Sequence, residues 1–186
     1  MTANFEIHHW TGDEYDQMVE AGLFGDRGVE LVDGVVYDMT PQSRRHAAAL
    51  RKARRVLESI CPDGCEVEVQ MPMSLDPDST PEPDLAIVPR DPGDYAGGHP
   101  TTALLVVEVA DSSLRHDRNQ KARAYARAGI QDFWILNLLD NLLEVYRDPA
   151  EGAYRNRQIL RRGERIGALA RPDLGIAVEN LLPAKL

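Results

Sequence analysis

The chain has 186 residues, 43% of them hydrophobic and 27% charged, with a formal net charge of −9. That length suits a single domain over 1–186, which buries roughly 70% of the surface its unfolded form exposes, and no apolar stretch approaches the ~18 residues of a membrane span. The opening M-T-A-N-F-E-I-H-H-W lacks a basic-then-apolar signal pattern, so a cytoplasmic location is expected.

Thr11 stands three residues before Glu14, the spacing of a capping box, and Gly22 closes the segment, which predicts a short helix over 12–21. From Val29, V-E-L-V-D-G-V-V-Y-D-M sets Asp-Gly between β-branched runs and predicts a hairpin with strands at 29–32 and 35–39. From Ser43 to Ile60, Ala49, Leu50, Ala53, Val56, Leu57 and Ile60 recur at helical spacing with arginines between them, the pattern of one amphipathic helix. Cys61 and Cys65 frame the turn C-P-D-G-C. With no second Cys/His pair at ligand spacing, they read as free thiols in a reducing compartment rather than a disulfide or half a zinc site.

Beyond that turn, E-V-E-V-Q-M from Glu66 alternates as a half-buried strand. Two apolar runs follow, D-L-A-I-V from Asp84 and L-L-V-V-E-V-A from Leu104, separated by a Pro-, Gly- and Asp-rich loop over 89–101. A second helix is predicted over 117–128 with Gly129 as its cap, then a strand from Asp132, then strands from Leu142 and Tyr154 joined by a turn near Gly152. A last short strand is expected near 175–179. Strands outnumber helices and two main helices punctuate them, so the expected class is α/β (α+β), a mixed sheet flanked by helices.

Each of the two apolar runs carries one carboxylate at an edge, Asp84 and Glu108. An ionised carboxylate in a buried strand is costly unless a metal or partner charge offsets it, which makes Glu108, inside V-V-E-V, the harder of the two to explain by packing. An Asp after Pro83 is by itself more often a turn cap. Together the pair suggests a Mg²⁺ or Mn²⁺ site, because magnesium takes oxygen ligands and is held by one or two carboxylates plus water and substrate phosphate. Phosphodiester hydrolysis is the natural chemistry of such a site.

A cation should complete it, by orienting the attacking water or offsetting transition-state charge. Ala110, two residues after Glu108, lacks the chemistry. Lys121 has it, and is one of three lysines (52, 121 and 185) against eighteen arginines. Asp117, four residues earlier on the same helix face, is placed to pair with Lys121. Positive charge is otherwise concentrated at Arg44, Arg45, Arg51, Lys52, Arg54 and Arg55 on the first long helix and at Arg115, Arg118, Arg123 and Arg127 around the second. These are either solvated faces or a phosphate-facing surface.

Pro83-Asp84, then E-V-A-D-S-S-L-R-H-D-R-N-Q-K-A-R-A-Y-A-R-A-G-I from Glu108, then F-W-I-L from Phe133, resemble the Uma-two family of restriction-endonuclease-like proteins in the PD-(D/E)XK nuclease superfamily. The likeness runs from about Glu30 to Tyr154. It implies a restriction-endonuclease-like core in which Asp84 and Glu108 ligate the metal and a relocated Lys121 replaces the lysine of the D/E-X-K triplet. It also implies that Glu30 and His46 line the cleft. Read without it, Glu30 is a solvent-facing strand residue and His46, on the stripe with Leu50 and Ala53, a core histidine. Ser113, Asp117 and Tyr125 match family positions near the site, although packing explains Tyr125 equally well. The chain departs from many relatives with Asn137 in place of Asp and Gln131 in place of Pro.

The function these features support is a divalent-metal-dependent endonuclease acting on DNA. Its catalytic set is Asp84, Glu108 and Lys121, with Glu30 or His46 assisting. A homodimer is expected from the need to engage two strands in a double-strand cut. One alternative is a catalytically idle homodimeric binding or regulatory module that keeps the nuclease-like core, in line with the overall acidity and the lack of a separate DNA-reading domain. Another is a phosphodiesterase acting on RNA or small nucleotides, since the same metal site serves all three.

Overall fold

The computed structural model describes residues 6–184, so the first five residues, Lys185 and Leu186 lie outside it. Helix α1 (Gly12–Glu20) opens on the expected capping box, with the Thr11 hydroxyl accepting from the Glu14 amide and the Glu14 carboxylate accepting from the Thr11 amide. Strands β1 (Val29–Val32) and β2 (Val35–Asp38) form the predicted hairpin. Asp33 and Gly34 at its tip both have positive φ, 53° and 71°, the twist that suits a two-residue turn. A side chain at Gly34 would also collide with His9 at 2.5 Å.

Helix α2 (Arg44–Ile60) buries Ala49, Leu50, Ala53, Leu57 and Ile60, the stripe expected from its spacing. Strands β3 (Cys65–Val69), β4 (Leu85–Pro89), β5 (Leu105–Ala110), β6 (Asp132–Asn137), β7 (Leu142–Ala150) and β8 (Ala153–Leu160) form one six-stranded sheet in that spatial order. All neighbours are antiparallel except β5 and β6, whose parallel pairing requires the crossover between them. Cys61 and Cys65, at the end of α2 and the start of β3, are free and half-buried.

The crossover departs from expectation. It begins at 114 rather than 117 and is not one uniform helix: α3 (Leu114–His116) runs into a π-helical turn (Asp117–Lys121) and then α4 (Ala122–Arg127). Gly129, at φ 75°, ends it as expected. The C-terminal region also differs, with a hairpin of β9 (Arg165–Ala168) and β10 (Arg171–Ala177) where only a strand near 175–179 was foreseen. Residues 178–180 are a 3₁₀ turn. Four residues with an internal glycine, R-I-G-A, are too short to show an alternating pattern.

Strand parity sorts the core into two layers. Leu85, Ile87, Leu105, Val107, Val109, Trp134 and Leu136 face α2 and the C-terminal hairpin. Ala86, Val88, Val106, Ala110, Phe133 and Ile135 face the other way, onto Leu114, Ala122, Tyr125 and Ile130. Glu108 lies between Val106 and Ala110 on that second face, which directs its carboxylate toward the crossover helix. None of the helices among the described residues is long and apolar enough to cross a membrane.

One buried charge on this face is structural. Glu144 of β7 is fully buried and accepts from Arg118, Arg157, Asn137 and Tyr146. Asn137 thus donates where an Asp would repel. Burial alone would raise the Glu144 carboxyl, but the Arg118, Asn137 and Tyr146 hydrogen bonds and the Arg157 charge outweigh it and bring it to about 2, from an ordinary 4.5. A depressed folded-state value stabilises the fold above pH 4.5, and that stability is lost as pH falls toward 2. Glu144→Gln is therefore expected to lower unfolding free energy by roughly 2–3 kcal/mol at pH 7, with a deficit that shrinks in acid. Urea melts at pH 7 and pH 3 check this, and an equal deficit at both would refute it.

Candidate active site

The register of β4 and β5 assembles the site. Leu85 pairs with Val107 in antiparallel order, so Asp84, one step before β4, stands opposite Glu108. The two acids interlock through each other's backbone: the Asp84 Oδ2 accepts from the Val109 amide at 2.8 Å, and the Asp84 amide lies 3.4 Å from Glu108 Oε2. Asp84 also accepts from Gln70 Nε2 at 3.2 Å and meets His46 Nε2 at 3.1 Å. His46 comes from the first turn of α2, which Ser43 caps. It sits at the cavity wall rather than in the core. Burial opposes its charging, but the Asp84 hydrogen bond and charge outweigh it and raise the imidazole above its ordinary value.

Lys121 reaches the same place from the crossover. Its Nζ lies 2.9 Å from Glu30 Oε2, 3.0 Å from Glu108 Oε1 and 3.1 Å from the Glu82 carbonyl. An ammonium has three protons, and all three are committed to these acceptors. Burial works against its charge, yet Glu108, Glu30 and Asp117 outweigh that and hold it well above the ordinary lysine range. The π turn, in which the Ala122 amide reaches back to Asp117 O, adds a residue to the helical repeat and lets Asp117 and Lys121 both be buried beside the sheet end.

Glu30 is buried, not solvent-facing, because β1 packs at this end of the sheet through a bridge from Leu31 to Thr80. Burial would raise its carboxyl, but Lys121, His116 and the Glu82 amide bring it to about 2. Glu108 differs. Burial pushes its carboxyl well above the usual range, and Asp117, Asp84 and Glu30 add to this, against the charge of Lys121. The Tyr125 hydroxyl donates to Glu108 Oε1 at 2.7 Å; burial, then Glu108, holds that phenol far above its ordinary value and so protonated. Asp117 accepts from the Ser113 hydroxyl at 2.7 Å, and burial raises its carboxyl to about 6.

These residues surround a cavity of about 810 Å³. Glu30, His46, Asp84, Glu108, Ser113, Asp117 and Lys121 all line it, while Tyr125 stands behind Glu108. Gln70, Glu82, Asp111, Tyr37 and His116 line it too and were not foreseen. His116 hides in the run L-R-H-D and is placed only by folding: its Nε2 meets Glu30 Oε1 at 3.1 Å and its ring packs on Tyr37 at 4.5 Å.

No arginine among the described residues lines the cavity. The basic helices spend much of their charge elsewhere, with Arg118 on Glu144, Arg127 on Asp33 and Asp76, Arg45 on Asn141, and Lys52 on the carbonyls of Glu179 and Leu182. Seven carboxylates (Glu30, Asp38, Glu82, Asp84, Glu108, Asp111 and Asp117) thus face one lysine. That surplus of hard oxygen donors fits a divalent cation, and Glu108 Oε2, with its single long contact, is open to one. No cluster of three or more His, Cys, Asp or Glu poised to hold a metal occurs among the described residues. A cation here would therefore take Asp84 and Glu108 with backbone, water or substrate oxygens, the low protein-ligand count usual for magnesium.

The architecture belongs to the restriction-endonuclease-like class. A crystal structure from Anabaena variabilis titled as "a putative nuclease belonging to DUF820" shares it, with a TM-score of 0.73 at 15% sequence identity, covering 92% of this chain and 96% of that one. At that identity the likeness establishes the fold alone. The model of the Uma2 family, described as "Putative restriction endonuclease", matches residues 13–179, and the chain belongs to this family. Among curated proteins, none matches.

Proposed function

We propose that the protein is a divalent-metal-dependent endonuclease that hydrolyses phosphodiester bonds in DNA. The observation that carries this is the meeting of Asp84 and Glu108 across β4 and β5 with Lys121 in contact with Glu108. Family membership supports the nuclease class, while the metal and the DNA substrate are inferred from the donor set.

Asp84 and Glu108 would hold Mg²⁺ or Mn²⁺, which when bound activates water and neutralises charge on the phosphoryl oxygens. Gln70, His46 and the Val109 amide fix the Asp84 carboxylate, and Tyr125 fixes that of Glu108. Because all three Lys121 protons are taken, its part here is to hold Glu30 and Glu108 together and to offset their charge, rather than to bond a phosphate directly. A homodimer, one copy per strand, is the assembly that would yield a double-strand cut.

With Mg²⁺ or Mn²⁺ the purified protein is expected to nick or cut plasmid DNA, and Asp84→Asn to slow this by on the order of 10³-fold. Saturating Mg²⁺ at 100 times its Kd should add about 2.7 kcal/mol of stability, a rise of roughly 5–10 °C in Tm, which Asp84→Asn abolishes. Cleavage undiminished in Asp84→Asn would defeat the proposal. Cleavage confined to RNA or to small nucleotides would move the substrate. No cleavage and no metal-induced shift would favour the idle module, with which the acidic, arginine-free cavity is compatible.

A further inference from the structure

Resting on that reading, the roles assigned above leave one step without an actor: taking the proton from the attacking water. Lys121, held as an ammonium by Glu30, Glu108 and the Glu82 carbonyl, has no lone pair with which to accept it. Tyr125 is buried behind Glu108. Two imidazoles line the cavity, and they differ in what their second nitrogen meets. His46 is bound through Nε2 to Asp84, and its Nδ1 is sealed from solvent with no hydrogen-bond partner. It has nowhere to pass a proton. His116 is bound through Nε2 to Glu30, its side chain is 22% exposed at the cavity wall, and its Nδ1 neither has a protein partner among the described residues nor is sealed.

We propose that His116, oriented by Glu30, is the general base of the reaction. The Glu30 carboxylate accepts from Nε2 and so keeps the lone pair on Nδ1, the nitrogen left without a protein partner, which is the carboxylate–imidazole logic of hydrolases on unrelated folds. The groups facing the ring are Glu30 from β1, Tyr37 from β2 and Asp117 from the π turn, while Lys121 secures the far oxygen of Glu30. In the step itself the water oxygen bonds to phosphorus as the bond from phosphorus to the leaving oxygen breaks. The water proton moves to Nδ1, and the imidazolium returns it to the leaving oxygen or to solvent, restoring the neutral ring. The Tyr37 contact and the Glu30 bond together fix the ring plane.

The test uses the full chain with Mn²⁺ or Mg²⁺ and a plasmid substrate. His116→Gln keeps an amide donor toward Glu30 but accepts no proton, so kcat is expected to fall by roughly 10²–10⁴-fold with KM within a few-fold. His116→Gly should be equally slow and regain activity when imidazole is added, which a positioning role does not produce. ¹⁵N spectra of the wild-type ring should show the Nε2–H tautomer, lost in Glu30→Gln. Full activity in His116→Gln, or a ring with its proton on Nδ1, overturns the assignment while leaving the nuclease intact. A wild-type protein inactive on every nucleic acid overturns both, and Asp84→Asn separates the cases, since only the nuclease reading requires its loss of cleavage.

Discussion

Lys121→Met is expected to lower the unfolding free energy by roughly 3–5 kcal/mol at pH 7, the usual loss when one partner of a buried ionic cluster is removed. The methionine fills much of the space, so packing changes little. What disappears is the one ammonium between Glu30 and Glu108, both nearly fully buried. The Glu30 carboxyl, held at about 2 largely by Lys121, contributes stability above its ordinary 4.5 and loses it as pH falls toward 2. The deficit of the variant should therefore be greatest near neutrality and narrow below about pH 4.5. Urea unfolding across this range measures it. Adding Glu108→Gln should restore part of the loss, because contacting charges couple by roughly 0.5–3 kcal/mol. A loss below about 1 kcal/mol would mean that water already solvates these carboxylates.

Asp117→Asn should do the opposite and stabilise the protein. Burial raises this carboxyl from 3.8 to about 6, and the Lys121 charge and Ser113 hydroxyl recover only part of that. In the unfolded chain the group ionises first, so between pH 3.8 and 6 the unfolded state binds fewer protons and stability falls as pH rises. Above pH 6 the accumulated cost is roughly 2–3 kcal/mol. Asn carries none of it. The variant is expected to gain that amount at pH 8 and nothing at pH 3.5, while cleaving DNA more slowly, an exchange of activity for stability found where charged groups crowd an active site. Equal stability of the two proteins at pH 8 would show that the Asp117 charge is fully compensated.

Much of the local architecture could be read directly along the chain. The Thr11–Glu14 capping box, the Asp33-Gly34 turn and the apolar stripe from Ala49 to Ile60 each depend on a few neighbouring residues, and each stands where its pattern places it. The pairing of Asp84 with Glu108 was also accessible, since a carboxylate within a buried strand calls for a partner. The short β9 strand and the π turn were not, because neither carries a periodic signal of its own.

Side-chain convergence is another matter. Glu30 reads as an exposed hairpin residue until β1 docks beside residues 80–82, and His116 is one basic residue among several until the crossover carries it to Glu30. The arginines of α2 and the crossover suggest a phosphate-binding face, yet none lines the cavity. Periodicity and propensity act over the span of one turn or one pair of residues, so sequence alone determined most of the segments that became helix and strand and which positions were apolar. Strand order and the parallel β5–β6 crossover bring together residues as far apart as Glu30 and Lys121. Only the folded chain therefore decided which charges meet, which are neutralised, and which imidazole nitrogen is left without a protein partner.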